Sequence, residues 1–126
     1  MTKKIVYIED DLEMIDLVKM ILERRGFEII GAHGGRQGLD ATQVEKPDLI
    51  LLDLMMPDVD GWDVYHTLKA REETATIPVI VITAKAQAID RVLGLQIAKV
   101  DDYISKPFRP QELVESVEKI LGITAP

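Results

Sequence analysis

The feature that most constrains this chain is the regular alternation of short apolar runs with segments of helical periodicity. The apolar runs are KIVYI (4–8), FEIIG (27–31), DLILLD (48–53), IPVIVIT (77–83) and DDYIS (101–105). The helical patterns lie at 12–22, 36–45, 62–73, 87–98 and 110–121, and Gly26 closes the first of them. This alternation predicts a doubly wound α/β fold, a (βα)5 sandwich in which helices cover both faces of a five-stranded parallel sheet.

Two of the apolar runs indicate which strands are central. LILL (49–52) and VIVI (79–82) contain no polar residue, which is typical of strands that are covered on both faces. FEIIG contains Glu28, so this strand is expected nearer an edge. The distribution is compatible with the strand order 2-1-3-4-5 as well as with others, and we adopt that order. Ligands of such a sheet bind beyond the carboxyl ends of strands 1 and 3.

Composition narrows the classes of protein further. A chain of 126 residues is expected to form one domain over residues 1–126. Its net charge is −7 and it has no cluster of Lys and Arg, so we expect no direct binding of nucleic acid. The absence of cysteine excludes disulfides and thiolate sites and suits a reducing cytoplasm. No apolar run has the length of a signal peptide core or a membrane span, so we expect a cytoplasmic protein that does not contact membranes.

Acidic side chains follow the two strands at which a ligand is expected. Glu9, Asp10 and Asp11 come directly after strand 1, and Asp53 ends strand 3. Two carboxylates about 4 Å apart repel each other by about 4 kcal/mol at an effective dielectric constant near 20, before solvent screening. A cation is therefore expected at this edge. Mg²⁺ fits, because it prefers carboxylate, phosphate and water oxygens.

Each residue at this edge also has an ordinary structural interpretation. An acid at a strand end commonly caps a helix, and Asp11 is predicted to cap the first helix. Thr83, after strand 4, is equally typical of a β-branched strand residue, and Lys106, after strand 5, of a solvated charge. Their coincidence at one sheet edge favours a chemical site, because a carboxylate beside a divalent ion, a hydroxyl and a lysine can accept a phosphoryl group.

The chain lacks the motifs of a nucleotide-binding loop and of a serine hydrolase. The glycines of GAHGGRQG (31–38) have the wrong spacing for a phosphate-binding loop, and the chain contains no G-x-S-x-G motif. His33 and His66 are far in sequence from the strand ends, and we expect both on the surface.

The motifs at the strand ends resemble, in order, those of response-regulator receiver domains, the phosphoacceptor part of two-component signalling. They are Glu9–Asp10, DLMMPDVDG (53–61), Thr83–Ala84 and DDYISKPF (101–108), and the resemblance covers nearly the whole chain. It implies that Asp53 accepts a phosphoryl group from the phosphohistidine of a sensor histidine kinase or a phosphotransfer protein.

The resemblance also implies a metal site. Mg²⁺ would be bound by Asp10, the Asp53 side chain and the Met55 backbone carbonyl, with Glu9 acting through water. The domain would assist its own phosphorylation and dephosphorylation without being a turnover enzyme.

Further roles follow from the same resemblance. Lys106 would pair with a phosphoryl oxygen, Thr83 would hydrogen-bond to it, and Tyr103 would turn inward as an aromatic switch. The Lys106–Pro107 peptide bond would be cis. Phosphorylation would favour a conformer with a changed surface of helix 4, strand 5 and helix 5, which a downstream target or output domain reads.

Several positions depart from the family pattern. Lys99–Val100 replaces the usual Gly-Ala, so a positive φ at Lys99 would cost about 1 kcal/mol and change the end of helix 4. Ser116 replaces an arginine that bridges dimers in many DNA-binding regulators, so we expect a monomer or weak dimer. Met55 has no hydrogen-bonding group for the hydrolytic water, which predicts slow self-dephosphorylation. Trp62 is expected to pack, partly exposed, beside the loop after strand 3.

Two alternatives remain open at this stage. The chain could be a pseudo-receiver that acts only as a protein-interaction module, although the intact set of motif residues argues against it. It could also be an aspartyl-phosphate hydrolase, because DVDG (58–61) resembles part of such a motif, but no cap domain is present to shape a substrate. The initial Met and the short ending GITAP (122–126) favour an N-terminal receiver or a complete small protein.

Overall fold

The computed structural model describes residues 2–84 and 88–123 and contains one five-stranded parallel sheet. Its strands are β1 (Lys4–Glu9), β2 (Glu28–His33), β3 (Leu49–Leu52), β4 (Val79–Thr83) and β5 (Asp102–Ser105). They lie in the order β2-β1-β3-β4-β5, and every neighbouring pair is parallel. The predicted fold class and strand order are confirmed, and β2 is an edge strand as expected.

Five helical segments alternate with the strands. They are α1 (Leu12–Glu23), α2 (Gly35–Glu45), α3 (Gly61–Ala70), α4 (Ala88–Val92), which continues as a π-helix (Leu93–Ala98), and α5 (Pro110–Leu121). The predicted start of the fourth helix at residue 87 and the last three residues of GITAP lie outside the described residues. The third helix is shorter than predicted, because Arg71 has an extended backbone (φ −91°, ψ 130°) that ends it. Among the described helices, none is long and apolar enough to cross a membrane.

Successive side chains of each strand point to opposite faces of the sheet, and this divides the core into two layers. In β1, Ile5 and Tyr7 face the layer of α1 and α5, whereas Val6 and Ile8 face the layer of α3. The first layer contributes the buried side chains Ile15, Val18, Leu22, Leu113, Val114 and Val117, and the second contributes Val64, Tyr65 and Leu68. Because the central strands are covered on both faces, their ends are held rigidly at one edge of the sheet.

The connection between the π-helix and β5 contains Lys99 and Val100, which depart from the family pattern. Lys99 has φ 61°, so the left-handed backbone considered for this position is present. The N–H of Val100 donates to the carbonyl of Gly94 (3.0 Å), which closes the π-helical turn. A Cβ at Gly94 would lie 2.7 Å from Cδ2 of Tyr103, so glycine is needed for the close approach of this turn to the tyrosine ring.

Candidate functional site

The carboxyl ends of β1 and β3 bring three acids together. Ile8 is in register with Leu52, and the N–H of Asp53 donates to the carbonyl of Ile8 (3.0 Å), so Glu9 and Asp53 follow at the same level. Glu9 is 1% exposed and Asp53 is 3% exposed, whereas Asp10 is half-buried. One carboxylate oxygen from each of the three lies within 4.8 Å of the others. Oxygen ligands at this spacing suit a hard divalent cation.

Lys106 supplies the positive charge at this cluster. Its Nζ lies 2.5 Å from Oε1 of Glu9 and 3.5 Å from Oδ2 of Asp53. The lysine side chain is 17% exposed, and its backbone N–H donates to the carbonyl of Thr83 (2.9 Å). The Lys106–Pro107 peptide bond is cis. Because buried carboxylates are costly without a partner, this ammonium is the partner that both acids need.

Tyr7 also contacts the cluster, and the sequence analysis did not single it out. Its hydroxyl donates to Oε1 of Glu9 (2.7 Å), and the ring is fully buried. The N–H of Asp11 donates to the other oxygen, Oε2 (3.2 Å). Burial, and then the negative charge of Glu9, raise the pKa of Tyr7, so the hydroxyl remains a neutral donor. The missed signal is the strand period of two, which places residues 7 and 9 on the same face of β1.

The loop after β3 turns back tightly on Asp53. The N–H of Met55 donates to Oδ1 of Asp53 (3.1 Å), and the N–H of Gly61 donates to the carbonyl of Leu54 (3.1 Å). A Cβ at Gly61 would lie 2.3 Å from Cα of Leu54 and 2.7 Å from the carbonyl oxygen of Asp53. These neighbours are backbone atoms that cannot move aside, so glycine is required where α3 begins beside this loop. The Met55 side chain is 57% exposed at the rim of the site.

The two acids of DVDG act as helix caps. Asp60 caps α3 by accepting from the N–H of Trp62 (2.8 Å). Asp58 accepts from the N–H groups of Gly35 (3.1 Å) and Arg36 (3.2 Å), and so it joins this loop to the N-terminus of α2. These backbone hydrogen bonds, that of Gly35 first, lower the pKa of Asp58. Sequence reasoning placed these residues in a turn but did not identify the contact of Asp58 with α2.

Thr83 and Tyr103 lie on the opposite face of the sheet from Tyr7. Val81 is in register with Tyr103, and Thr83 is two residues further along β4, so the two share a face. Both side chains are fully buried. Burial, and then the charge of Asp90, raise the pKa of Tyr103. Tyr103 is therefore buried in this structure, and its role as an aromatic switch stays a prediction.

The comparison with known proteins decides the family. The family model of the response regulator receiver domain matches residues 5–118, which is most of the chain. The chain belongs to the response regulator receiver family. Its identification as a receiver domain from the strand-end motifs is confirmed.

Curated relatives and solved structures support the same conclusion. The receiver domain is 47% identical over 118 residues to the transcriptional regulatory protein CpxR of Escherichia coli K12, an alignment that covers 94% of this chain and 49% of CpxR. The chain thus spans about half the length of the curated relatives that it matches. A crystal structure of a response regulator from Chloroflexus aurantiacus has a TM-score of 0.89 at 28% identity, covering 97% of this chain and 99% of that one.

A second solved structure bears on the acidic cluster. The receiver domain of a sensor histidine kinase from Pseudomonas aeruginosa has a TM-score of 0.86 at 28% identity, and covers 97% of this chain and 99% of its own. That structure holds a magnesium ion in its active-site cleft. In the present receiver domain, Glu9, Asp10 and Asp53 form an oxygen-only cluster in which a metal ion could be held.

Other residues singled out from the sequence are not among the three acids of the cluster, although His33 is in register with Glu9 and the N–H of Asp11 donates to it. His33 and His66 are exposed, as expected. Asp11 caps α1 by accepting from the N–H groups of Glu13 and Met14, also as expected. Trp62 is half-buried, and its ring makes an edge-to-face contact with Tyr65 at a centroid distance of 5.9 Å.

Ser116 has a defined role within the chain. It is buried, and its hydroxyl donates to Oδ2 of Asp102 (2.5 Å). The position at which an arginine was considered for dimer formation therefore holds an internal hydrogen bond between α5 and β5.

Proposed function

We propose that Asp53 of this receiver domain accepts a phosphoryl group from the phosphohistidine of a sensor histidine kinase or a phosphotransfer protein. The observation that carries the proposal is the position of the buried Asp53 carboxylate, 3.5 Å from the Lys106 ammonium and within a cluster of acidic oxygens. A carboxylate in this position is an oxygen nucleophile beside a fixed positive charge, which is the arrangement that phosphoryl transfer requires.

In the proposed reaction, an Asp53 oxygen attacks the phosphorus atom, and the bond from phosphorus to the histidine nitrogen breaks. Lys106 neutralises charge on a phosphoryl oxygen, for which it exchanges its contact with Glu9. Thr83, at the end of the adjacent strand β4, donates its hydroxyl to another phosphoryl oxygen. Catalysis then consists of positioning and charge neutralisation, and the domain takes up and releases one phosphoryl group instead of turning over a substrate.

Mg²⁺ is the cofactor that we propose for this site. Asp10, the Asp53 side chain and the Met55 backbone carbonyl would hold it, with Glu9 acting through water. The donor set fits, because all of these groups are hard oxygen ligands and two of them are carboxylates. When bound, the ion supplies positive charge that offsets the repulsion between the acidic oxygens and the phosphoryl group.

Signalling is proposed to follow as a shift in population between conformers. Phosphorylation draws Thr83 toward the phosphoryl group, Tyr103 is held inward on the same face, and the surface of α4, β5 and α5 changes. A downstream target or an output domain reads that surface. We propose that residues 1–126 act as one cytoplasmic receiver unit, a monomer or weak dimer, without direct contact with nucleic acid or membranes.

The proposal is tested with Mg²⁺ and acetyl phosphate as a small phosphodonor. Intact-mass measurement is expected to show the addition of one phosphoryl group to the wild-type chain and none to Asp53→Asn. Asp58→Asn is the matched control, because Asp58 is an exposed acid of the same loop, and it is expected to be modified like the wild type. Failure of the wild type to gain mass from acetyl phosphate and from a panel of phosphorylated kinases would favour a pseudo-receiver. Equal modification of Asp53→Asn would place the acceptor elsewhere.

A further inference from the structure

The Tyr7 hydroxyl is a polar group inside the core to which the proposed reaction assigns no role. The side chain is fully buried among the residues that α1 and α5 cover, yet its oxygen lies 2.7 Å from Oε1 of Glu9. A phenylalanine would fill the same space without a polar atom. Packing therefore does not explain the hydroxyl, and its hydrogen bond to the acidic cluster does.

The hydrogen bonds of Glu9 show what the hydroxyl does. Oε1 accepts from Tyr7 (2.7 Å) and is paired with Nζ of Lys106 (2.5 Å), while Oε2 accepts from the N–H of Asp11 (3.2 Å). A carboxylate oxygen has about two acceptor positions, so these contacts fill Oε1 and leave one position on Oε2. Oε1, which binds the lysine, thus differs from Oε2, which keeps an acceptor position for water or a cation.

The position of Tyr7 on β1 explains why this residue can orient Glu9. Side chains two residues apart on a strand point to the same face, and the phenol ring extends along that face toward the end of the strand. Because Tyr7 is fully buried and Glu9 is 1% exposed, water cannot readily replace the hydroxyl as a donor to Oε1.

We propose that Tyr7 is a positioning residue of the phosphoryl-transfer site, whose hydroxyl orients Glu9 so that Oε1 holds Lys106 and Oε2 stays open toward the cation. The inference rests on the proposed function, because it concerns the cation of the same site. Residues that orient a metal ligand commonly change metal affinity by about 10-fold to 100-fold when they are removed. Tyr7 acts here through Glu9 and does not touch the phosphoryl group.

The test measures Mg²⁺ binding by isothermal titration calorimetry on the full chain without a phosphodonor. Tyr7→Phe is expected to raise the Kd for Mg²⁺ about tenfold, the lower end of that range. Tyr65→Phe is the matched control, because it also removes a tyrosine hydroxyl, one that donates to the carbonyl of Ala98 (2.7 Å) away from the acidic cluster. Its Kd is expected to equal that of the wild type.

A double-mutant cycle with Glu9→Gln separates positioning from a general structural effect. If Tyr7 acts through the Glu9 carboxylate, adding Tyr7→Phe to Glu9→Gln leaves the Kd unchanged. An equal loss of affinity in both backgrounds would show that Tyr7 acts through the fold, and an unchanged Kd in the single variant would overturn the inference. Wild-type chain that binds no Mg²⁺ would overturn the proposed Mg²⁺ site and this inference together, whereas wild-type binding with an unaffected Tyr7→Phe variant overturns this inference alone.

A measurement on the wild type covers the case in which Tyr7→Phe does not fold. The hydroxyl proton of Tyr7 is expected to exchange slowly with solvent and to give an observable NMR resonance that shifts when Mg²⁺ is added. A resonance that does not respond to Mg²⁺ would count against the inference.

Discussion

Lys106 and Glu9 form a nearly buried ion pair, in which Nζ lies 2.5 Å from Oε1 and the side chains are 17% and 1% exposed. The same ammonium lies further from Asp53, at 3.5 Å. In the proposed reaction Lys106 therefore moves from the Glu9 carboxylate to a phosphoryl oxygen on Asp53. The Glu9 carboxylate acts as the resting partner that keeps the lysine at the site.

Removal of this lysine is expected to destabilise the fold more than removal of an exposed one. Lys106→Met leaves two buried acids without their cation and is expected to lower the free energy of unfolding by about 3 kcal/mol. Lys4→Met is the control, because Lys4 pairs with Glu45 (3.2 Å) while both side chains are about one-third exposed. Its loss is expected to be about 0–1 kcal/mol. Urea unfolding without Mg²⁺ compares the two, and equal losses would contradict the role of burial.

Met55 is expected to limit the rate at which the phosphorylated domain loses its phosphoryl group. Its side chain is 57% exposed at the rim of the site and offers no hydrogen bond to an attacking water. Met55→Asn supplies an amide that can orient that water and is expected to speed dephosphorylation severalfold. Decay of the phosphorylated mass after removal of the donor measures the rate. Met55→Leu is the apolar control, and equal decay rates of the Asn and Leu variants would refute this explanation.

Asp58 is expected to make the stability of the domain depend on pH. Its pKa is lowered in the folded state by backbone donors at the N-terminus of α2, so its contribution is present above the ordinary pKa of 3.8. That contribution is lost as the pH falls through the folded pKa. Asp58→Ala is expected to lower the free energy of unfolding by about 0.5–1 kcal/mol at pH 7, because the carboxylate is an exposed cap.

The pH dependence is measured by urea unfolding from pH 7 to pH 3, as the difference in the free energy of unfolding between the wild type and Asp58→Ala. The difference is expected to shrink toward zero at the acid end. Asp40→Ala, at an exposed acid within α2, is the control for the loss of a surface carboxylate. A difference for Asp58→Ala that stays constant across the range would contradict the predicted cap.

Lys99 is expected to be a site at which glycine stabilises the protein. Its φ of 61° is left-handed, as is the φ of 47° at Lys46 after α2. Glycine adopts this backbone without steric cost, so Lys99→Gly and Lys46→Gly are each expected to raise the free energy of unfolding by about 0.5–1 kcal/mol. Lys19→Gly, in the middle of α1, is expected to lower it by about 1 kcal/mol. Thermal and urea unfolding measure all three, and a loss at Lys99 would refute the prediction.

Much of the fold and of the acidic cluster was predictable, because both depend on local patterns. The period of apolar residues predicted each strand and helix, and the apolar runs of β3 and β4 predicted that both are central. Parallel strands bring their carboxyl ends to one edge, so the positions of Glu9, Asp10, Asp53 and Lys106 after their strands were enough to predict a common site. Element ends were less predictable: α3 ends early because Arg71 leaves the helical backbone region.

By itself, the sequence determined the fold class, the two central strands and the group of residues at the sheet edge. The strand order, which the sequence left open among several, was decided by the structure. Only the tertiary structure decided that Tyr7 and Lys106 share one oxygen of Glu9, and that Asp58 contacts α2. It also decided that Ser116 bonds to Asp102 inside the chain. The physical reason is that some of these contacts join residues far apart in the sequence, such as Lys106 and Glu9, which are 97 positions apart. The others depend on side-chain rotamer and burial, which no local pattern specifies. Periodicity specifies which face a side chain occupies, but packing decides which atom it reaches.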